Sequence, residues 1–178
     1  GEFTVNIALI EGNEPVFGIV GVPVQQKVYI GDVRQSEAHK RAYVLDGGSP
    51  RLLTGQSANE RNGPVRVVAS RNHGGDRLEA YLAEVEQRFA GCQRTPVGSS
   101  LKLCVLAEGG ADIYPRFGPT CEWDTAAGHA ILEAAGGLVT DVNGGPFEYG
   151  KADRKFLNDS FIAWGGTDPA EWFAKTGS

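Results

Sequence analysis

The chain has 178 residues, 41% of them apolar and 22% charged, and carries a net charge of −5. That is enough apolar material for a real core, in one large domain or two small ones. It excludes a basic nucleic-acid-binding surface, and no apolar run approaches the 18 residues of a membrane-spanning helix.

The chain opens inside a strand. In GEFTVNIALIEG, Phe3, Val5, Ile7 and Leu9 alternate with Thr4, Asn6 and Ala8. A start in mid-strand, with no methionine anywhere, reads as a fragment of a longer chain. Glu11–Pro15 supplies a turn, Val16–Val22 returns as the second arm of a hairpin, and Lys27–Ile30 forms a third strand. Residues 31–63 are polar, with short strands expected at Ala42–Leu45 and Arg51–Leu53. A boundary near Asn59–Gly63 divides residues 1–60, the remaining strands of an N-terminal α+β domain, from residues 64–178, a C-terminal α/β domain. Val65–Ser70 is a buried strand. A helix follows, with Leu78, Leu82, Val85 and Phe89 at i, i+4, i+7 and i+11, closed by Gly91. Gln93–Val97 is a short strand and Ser99–Glu108 a helix with Leu101, Val105 and Ala107 placed to pack. Ala111–Arg116 is a strand and Trp123–Ala135 a helix buried along Ala127, Ala130, Ile131 and Ala134, stopped by Gly136 and Gly137. Leu138–Asp141, a turn at Asn143–Gly145, a strand at Phe161–Gly165 and a helix at Pro169–Lys175 complete the chain. The alternation after residue 65 predicts an α/β fold.

Cys92, Cys104 and Cys121 form no CxxC pair, so reduced thiols and a cytoplasmic setting are expected. His39, His73 and His129 lack the HExxH spacing of a zinc helix, and nothing resembles a signal peptide. The run CEWDTAAGHAILEAAGG, Cys121–Gly137, poses the functional question. Its helix begins at an acid, Asp124, and continues through Thr125, Ala126, Ala127 and Gly128. Something must approach that end closely, either another backbone or a ligand. Asp124 is either an N-cap or a ligand of a hard cation such as Mg²⁺, and a helix N-terminus also attracts phosphate.

EWDTAAGHAILEAAGG closely resembles the W-D-x-A-A-G…E-A-G-G signature of the inositol monophosphatase superfamily, with one extra alanine in Glu133–Gly137. GGADIYPRFGPTCEWD, GSSLKLCVLAEG and GEFTVNIALIEGNEPVFGIVGVPV resemble its 3'(2'),5'-bisphosphate nucleotidase branch, of the bacterial CysQ type. The resemblance implies a layered α-β-α-β-α sugar-phosphatase fold, truncated here at the N-terminus. It further implies Mg²⁺-dependent removal of the 3'-phosphate from adenosine 3',5'-bisphosphate, a role in sulfur assimilation and a cytoplasmic location, with peripheral attachment to the inner membrane left open. Asp124 matches a metal ligand and is expected to be catalytic. Lys102 and Arg116 match substrate phosphate contacts, with Ser99 one turn before Lys102. Ser70 and His73 match a segment near the base and ribose. Read without the resemblance, Lys102 is a solvated helix charge, Arg116 a strand-end cation and Ser70–His73 a loop or N-cap. His129 is expected to be structural rather than a general base, Trp123 a packing anchor, and Asp112 a brace at its strand start.

The family's upstream glutamate pair and D-P-x-D-G-T segment are absent; Leu45–Gly48 and Thr140–Gly145 are only partial matches. The isolated polypeptide is therefore expected to be inactive or nearly so, because Mg²⁺ wants more than one carboxylate. Its expected partners are a nucleotide bisphosphate and either the missing N-terminal segment or a second copy, with no nucleic acid. Two other functions compete: an inositol monophosphatase or fructose-bisphosphatase-like sugar phosphatase, and a non-catalytic module that binds phosphorylated ligands.

Overall fold

The computed structural model describes residues 3–34, 40–55, 63–69, 75–89, 91–98 and 100–166. The expected helix at Pro169–Lys175 lies outside them. Two five-stranded sheets enclose a helical layer. The first sheet is a meander of β1 (Val5–Glu11), β2 (Glu14–Val22), β3 (Lys27–Asp32), β4 (Arg41–Leu45) and β5 (Arg51–Leu53). Each strand pairs antiparallel with its neighbour in sequence, Ile7 opposite Ile19 and Ile19 opposite Ile30.

The second sheet takes β6 (Val65–Ala69), β7 (Cys92–Pro96), β8 (Ile113–Arg116), β10 (Leu138–Asp141) and β12 (Phe161–Trp164) in the order β10-β12-β8-β6-β7. Its β6, β7 and β8 run parallel, while β12 and β10 are antiparallel. A small ribbon, β9 (Thr120–Cys121) with β11 (Leu157–Asn158), leaves no signal in the sequence, because two residues carry no period. The helices are α1 (Gly75–Arg88), α2 (Leu101–Ala107) and α3 (Glu122–Ala134). Among the described residues no helix is long and apolar enough to cross a membrane.

The second sheet is covered on both faces. Val65, Val67, Ile113, Ile162 and Trp164 meet Leu78, Leu82 and Val85 of α1. Val68, Tyr114, Phe161 and Ala163 join α2, α3 and the first sheet's Val20, Tyr29 and Val44 in the main core. Strands buried on both sides read as continuous apolar runs, which is why they are legible. The helix α3 lies between the sheets, so it is buried well beyond the single stripe the spacing predicts, with Thr125, Gly128, His129 and Leu132 inside as well. The helix α2 is likewise buried almost all round.

The small residues of α3 now have an explanation. A Cβ on Gly18 of β2 would sit 2.2 Å from the Ala127 carbonyl oxygen, and one on Gly128 would sit 2.8 Å from the Leu103 Cβ of α2. The neighbours that approach Ala127 and Gly128 are the backbone of β2 and the Leu103 side chain of α2. Gly18→Ala must move backbone rather than a side chain, so it is expected to cost about 3 kcal/mol, the upper end for overpacking. Urea unfolding checks this; a cost indistinguishable from zero would contradict the close approach. The other face of the first sheet carries Phe3, Val5, Ile7 and Leu9, all exposed.

Candidate active site

The helix α3 begins where β9 ends. Cys121 is its N-cap, in extended backbone, and the helix starts at Glu122. Asp124 is therefore not the N-cap. It stands at the third helical position, and its Oδ2 accepts a 2.8 Å hydrogen bond from the Cys121 backbone N–H. This is the returning half of a capping box. The carboxylate is exposed, and its charge lies at the positive end of the helix dipole.

Tyr114 gathers the other expected residues, and no sequence motif singled it out. It is 6% exposed. The Lys102 ammonium lies 5.4 Å from its ring centroid, within cation–π range. Burial acts on its phenol more than the Arg116 charge, which lowers the pKa, or the Asp124 charge, which raises it. Burial pushes the Tyr114 phenol up to about 12, so it stays a hydrogen-bond donor throughout the working range. Lys102 is not a solvated helix charge: it is 6% exposed, facing the interior beside α3. Arg116 donates from Nε to the Gly118 carbonyl (3.1 Å) and from a terminal nitrogen to the Pro119 carbonyl (2.8 Å), which shapes the β8–β9 loop. Alternation explains the convergence: Tyr114 and Arg116 are two apart on β8 and share its inner face. Ser70, His73 and Ser99 lie outside the described residues.

Trp123 is not a packing anchor. It is 61% exposed and leans on Phe156 at 6.2 Å between ring centroids. Asp112 is the expected brace, fully buried and bonded to Arg66 of β6.

Beneath the first turn of α3 runs a buried polar network. The Thr125 hydroxyl donates to the Glu122 carbonyl (3.3 Å). It accepts from Asn158 Nδ2 (3.0 Å) and from the Tyr149 hydroxyl (3.3 Å), so its hydrogen-bonding capacity is filled. Asn158 also donates to Thr120 Oγ1 (3.2 Å), and Glu122 Oε1 accepts from the Lys151 backbone N–H (2.7 Å). His129 Nδ1 meets the Tyr149 hydroxyl at 3.0 Å.

Burial drives the His129 imidazole down to about 3, so it is neutral and structural. The unfolded chain takes up this proton near pH 6.5 and the folded one near 3. Its contribution to stability is therefore complete above pH 6.5. It is lost as pH falls from there toward 3, by about 1.4 kcal/mol per pH unit. Urea midpoints between pH 6.5 and 4 should fall accordingly, and His129→Gln should flatten that limb; an unchanged slope would refute the assignment.

Among the described residues no group of three or more His, Cys, Asp or Glu side chains converges to hold a metal ion. Asp124 offers one carboxylate, and these residues alone do not fit a divalent cation. An open cavity of about 460 Å³ lies elsewhere, lined by Arg77, Asp141, Phe147, Lys151, Asp159 and Ser160. Its two cations are already engaged. Arg77 lies over Phe117 and bonds Ser160, while Lys151 bonds the Glu148 carbonyl and lies over Phe147.

The comparisons with known proteins agree with this architecture. The inositol monophosphatase family model matches residues 1–171. A 3'(2'),5'-bisphosphate nucleotidase CysQ of Shigella flexneri is 44% identical over 161 residues, which is 90% of this chain and 59% of that protein. A protein of the same name from Buchnera aphidicola is 40% identical over 166 residues, 92% of this chain and 57% of that one. The chain thus spans about three fifths of the length of the curated relatives it matches. The crystal structure of CysQ from Bacteroides thetaiotaomicron superposes with a TM-score of 0.76 at 37% identity, over 93% of this chain and 64% of that one. The arrangement of two sheets around α3, the W-D-T-A-A-G helix start and these matches place the chain in the inositol monophosphatase family.

Proposed function

We propose that the protein takes part in hydrolysis of a phosphate monoester, removing the 3'-phosphate of adenosine 3',5'-bisphosphate to leave AMP. The observation that carries this reading is the buried Lys102 ammonium over the Tyr114 ring, with Arg116 two residues further along the same face of β8 and Asp124 in the first turn of α3. Two cations and a phenol donor suit a phosphate, and a carboxylate beside them suits a cation that bridges to it. The identity with 3'(2'),5'-bisphosphate nucleotidases supports the nucleotide as substrate. Phe117–Gly118–Pro119 stands where an inositol-type relative would carry an acid before the W-D pair.

Mg²⁺ is the proposed cofactor, and such an ion lowers the pKa of a bound water and stabilises a leaving alkoxide. Asp124 would be one ligand, and the further carboxylates that such an ion needs are not among the described residues. The residues described here hold and orient the substrate. Lys102 and Arg116 neutralise phosphoryl oxygens, Tyr114 holds the Lys102 ammonium over its ring, and the buried Thr125–Asn158 network keeps the helix end in place. Ser70, His73 and Ser99 remain proposed nucleotide contacts.

A second reading has its own support. With one carboxylate at the site, the described residues suit a module that binds phosphorylated ligands without turnover. Phosphate release from adenosine 3',5'-bisphosphate, inositol 1-phosphate and fructose 1,6-bisphosphate, with and without Mg²⁺, separates the readings. Mg²⁺-dependent release from the nucleotide first supports the proposal. Preference for either sugar phosphate overturns the substrate, and tight nucleotide binding with no release favours the binding module.

A further inference from the structure

Asn6 stands on β1, far in sequence from every residue of the site, and faces the helical layer. Its Nδ2 donates to Ser100 Oγ at 2.9 Å and to the Trp123 carbonyl oxygen at 3.3 Å. Ser100 is the N-cap of α2, one residue before the helix that carries Lys102. Trp123 directly precedes Asp124. One carboxamide thus joins the starts of both helices. The Trp123 carbonyl can only accept, so it is the NH₂ end of the amide that faces it.

The cost of this arrangement is visible. Asn6 Oδ1 is buried and has no hydrogen-bond partner among the described residues. Buried acceptors are rarely left unpaired, and each such case asks for an explanation. Asparagine is also among the poorer strand formers. Neither Ser100 nor Trp123 needs Asn6 to be satisfied: the Ser100 hydroxyl can rotate, and the Trp123 carbonyl is an acceptor in the α3 ladder. Valine at position 6 would suit the strand better and remove the unpaired oxygen. Stability alone therefore does not account for Asn6.

We propose that Asn6 is a positioning residue, a clamp that sets the spacing between the α2 and α3 N-termini and hence between Lys102 and Asp124. The inference rests on the phosphatase reading for its effect on turnover, but the clamp itself does not.

The test compares wild type, Asn6→Val and Asn6→Asp in the intact protein by three readouts. Asn6→Val is expected to keep its unfolding midpoint within about 3 °C of wild type, the size of a 1 kcal/mol change in a chain of this length. The amides of Thr125 to Ala127 should exchange faster with solvent, while those of β2 stay unchanged. Phosphate release from adenosine 3',5'-bisphosphate should fall roughly 10- to 100-fold, as for other residues that orient a site, with the loss in kcat rather than KM. Asn6→Asp keeps the shape but sets a carboxylate against the Trp123 carbonyl, so it should lose at least as much, and it serves if the valine variant does not fold. Wild-type exchange and turnover in either variant overturn the proposal. So does a fall in midpoint that accounts for the lost activity. If wild type itself releases no phosphate, the functional reading fails, and amide exchange alone decides the clamp.

Discussion

Asp124→Asn is expected to lower phosphate release from adenosine 3',5'-bisphosphate by roughly 100- to 1,000-fold, the scale seen when one group stabilising transition-state charge is removed. The same variant should remain folded. An asparagine oxygen can still accept from the Cys121 N–H, as Asp124 Oδ2 does at 2.8 Å. What it loses is a favourable charge at a helix start, worth about 0.3–1 kcal/mol. Asp124→Ala removes the cap as well and should cost about 1 kcal/mol more. The pair of variants thus separates the two roles that one carboxylate performs. If Asp124→Asn turns over normally while Asp124→Ala is merely less stable, Asp124 is a cap and nothing else. The measurements are initial rates across a Mg²⁺ titration and urea midpoints on the same preparations.

Asp112→Ala should give the largest loss of stability, about 3–5 kcal/mol, the usual result of breaking a buried ion pair from one side. Asp112 is fully buried. Its Oδ1 lies 2.7 Å from an Arg66 terminal nitrogen, and its Oδ2 accepts from the Arg66 backbone N–H at 2.7 Å. Its own N–H donates to the Arg66 carbonyl (2.8 Å), and its carbonyl accepts from Gly165 N–H (2.8 Å). One residue therefore ties β6, the start of β8 and the end of β12. Removing its side chain leaves the Arg66 charge without its partner. The unfolding midpoint should drop by roughly 10 °C. Replacing both partners with apolar residues should cost less than the sum of the single changes, since no lone charge remains. A single-variant cost below 1 kcal/mol would show that water or another group replaces the carboxylate. Because β8 also carries Tyr114 and Arg116, turnover should fall with stability in Asp112→Ala, in contrast to Asp124→Asn.

Much of the chain was legible from local pattern alone. The opening alternation of Val5, Ile7 and Leu9 against Asn6 and Ala8 set the strand and its faces, because side chains on a strand repeat every two residues. The spacing of Leu78, Leu82 and Val85 marked α1 and its buried side, and the W-D-T-A-A-G run marked both the start of α3 and the family. These signals are short-range, and a helix or strand period needs only its own residues to be expressed.

Tertiary structure decided the rest. The same small residues, Ala127 and Gly128, suit either a phosphate or a neighbouring backbone. Only the Gly18 strand and Leu103 packed against them show which one is there. Lys102 reads as a surface charge until α2 is seen buried on nearly every side. Trp123 reads as an anchor until it is seen exposed. Tyr114 and Asn6 lie in stretches that resemble the family, but nothing in those stretches singles them out, since each matters through partners on other elements, and Asn6 meets Ser100 and Trp123 across 94 and 117 residues of chain. By itself the sequence determined most elements and the family; which faces are buried and which side chains converge depends on how two sheets close over α3, a contact between distant segments that no local period records, so the apolar face of β1 is exposed while Asn6 turns inward.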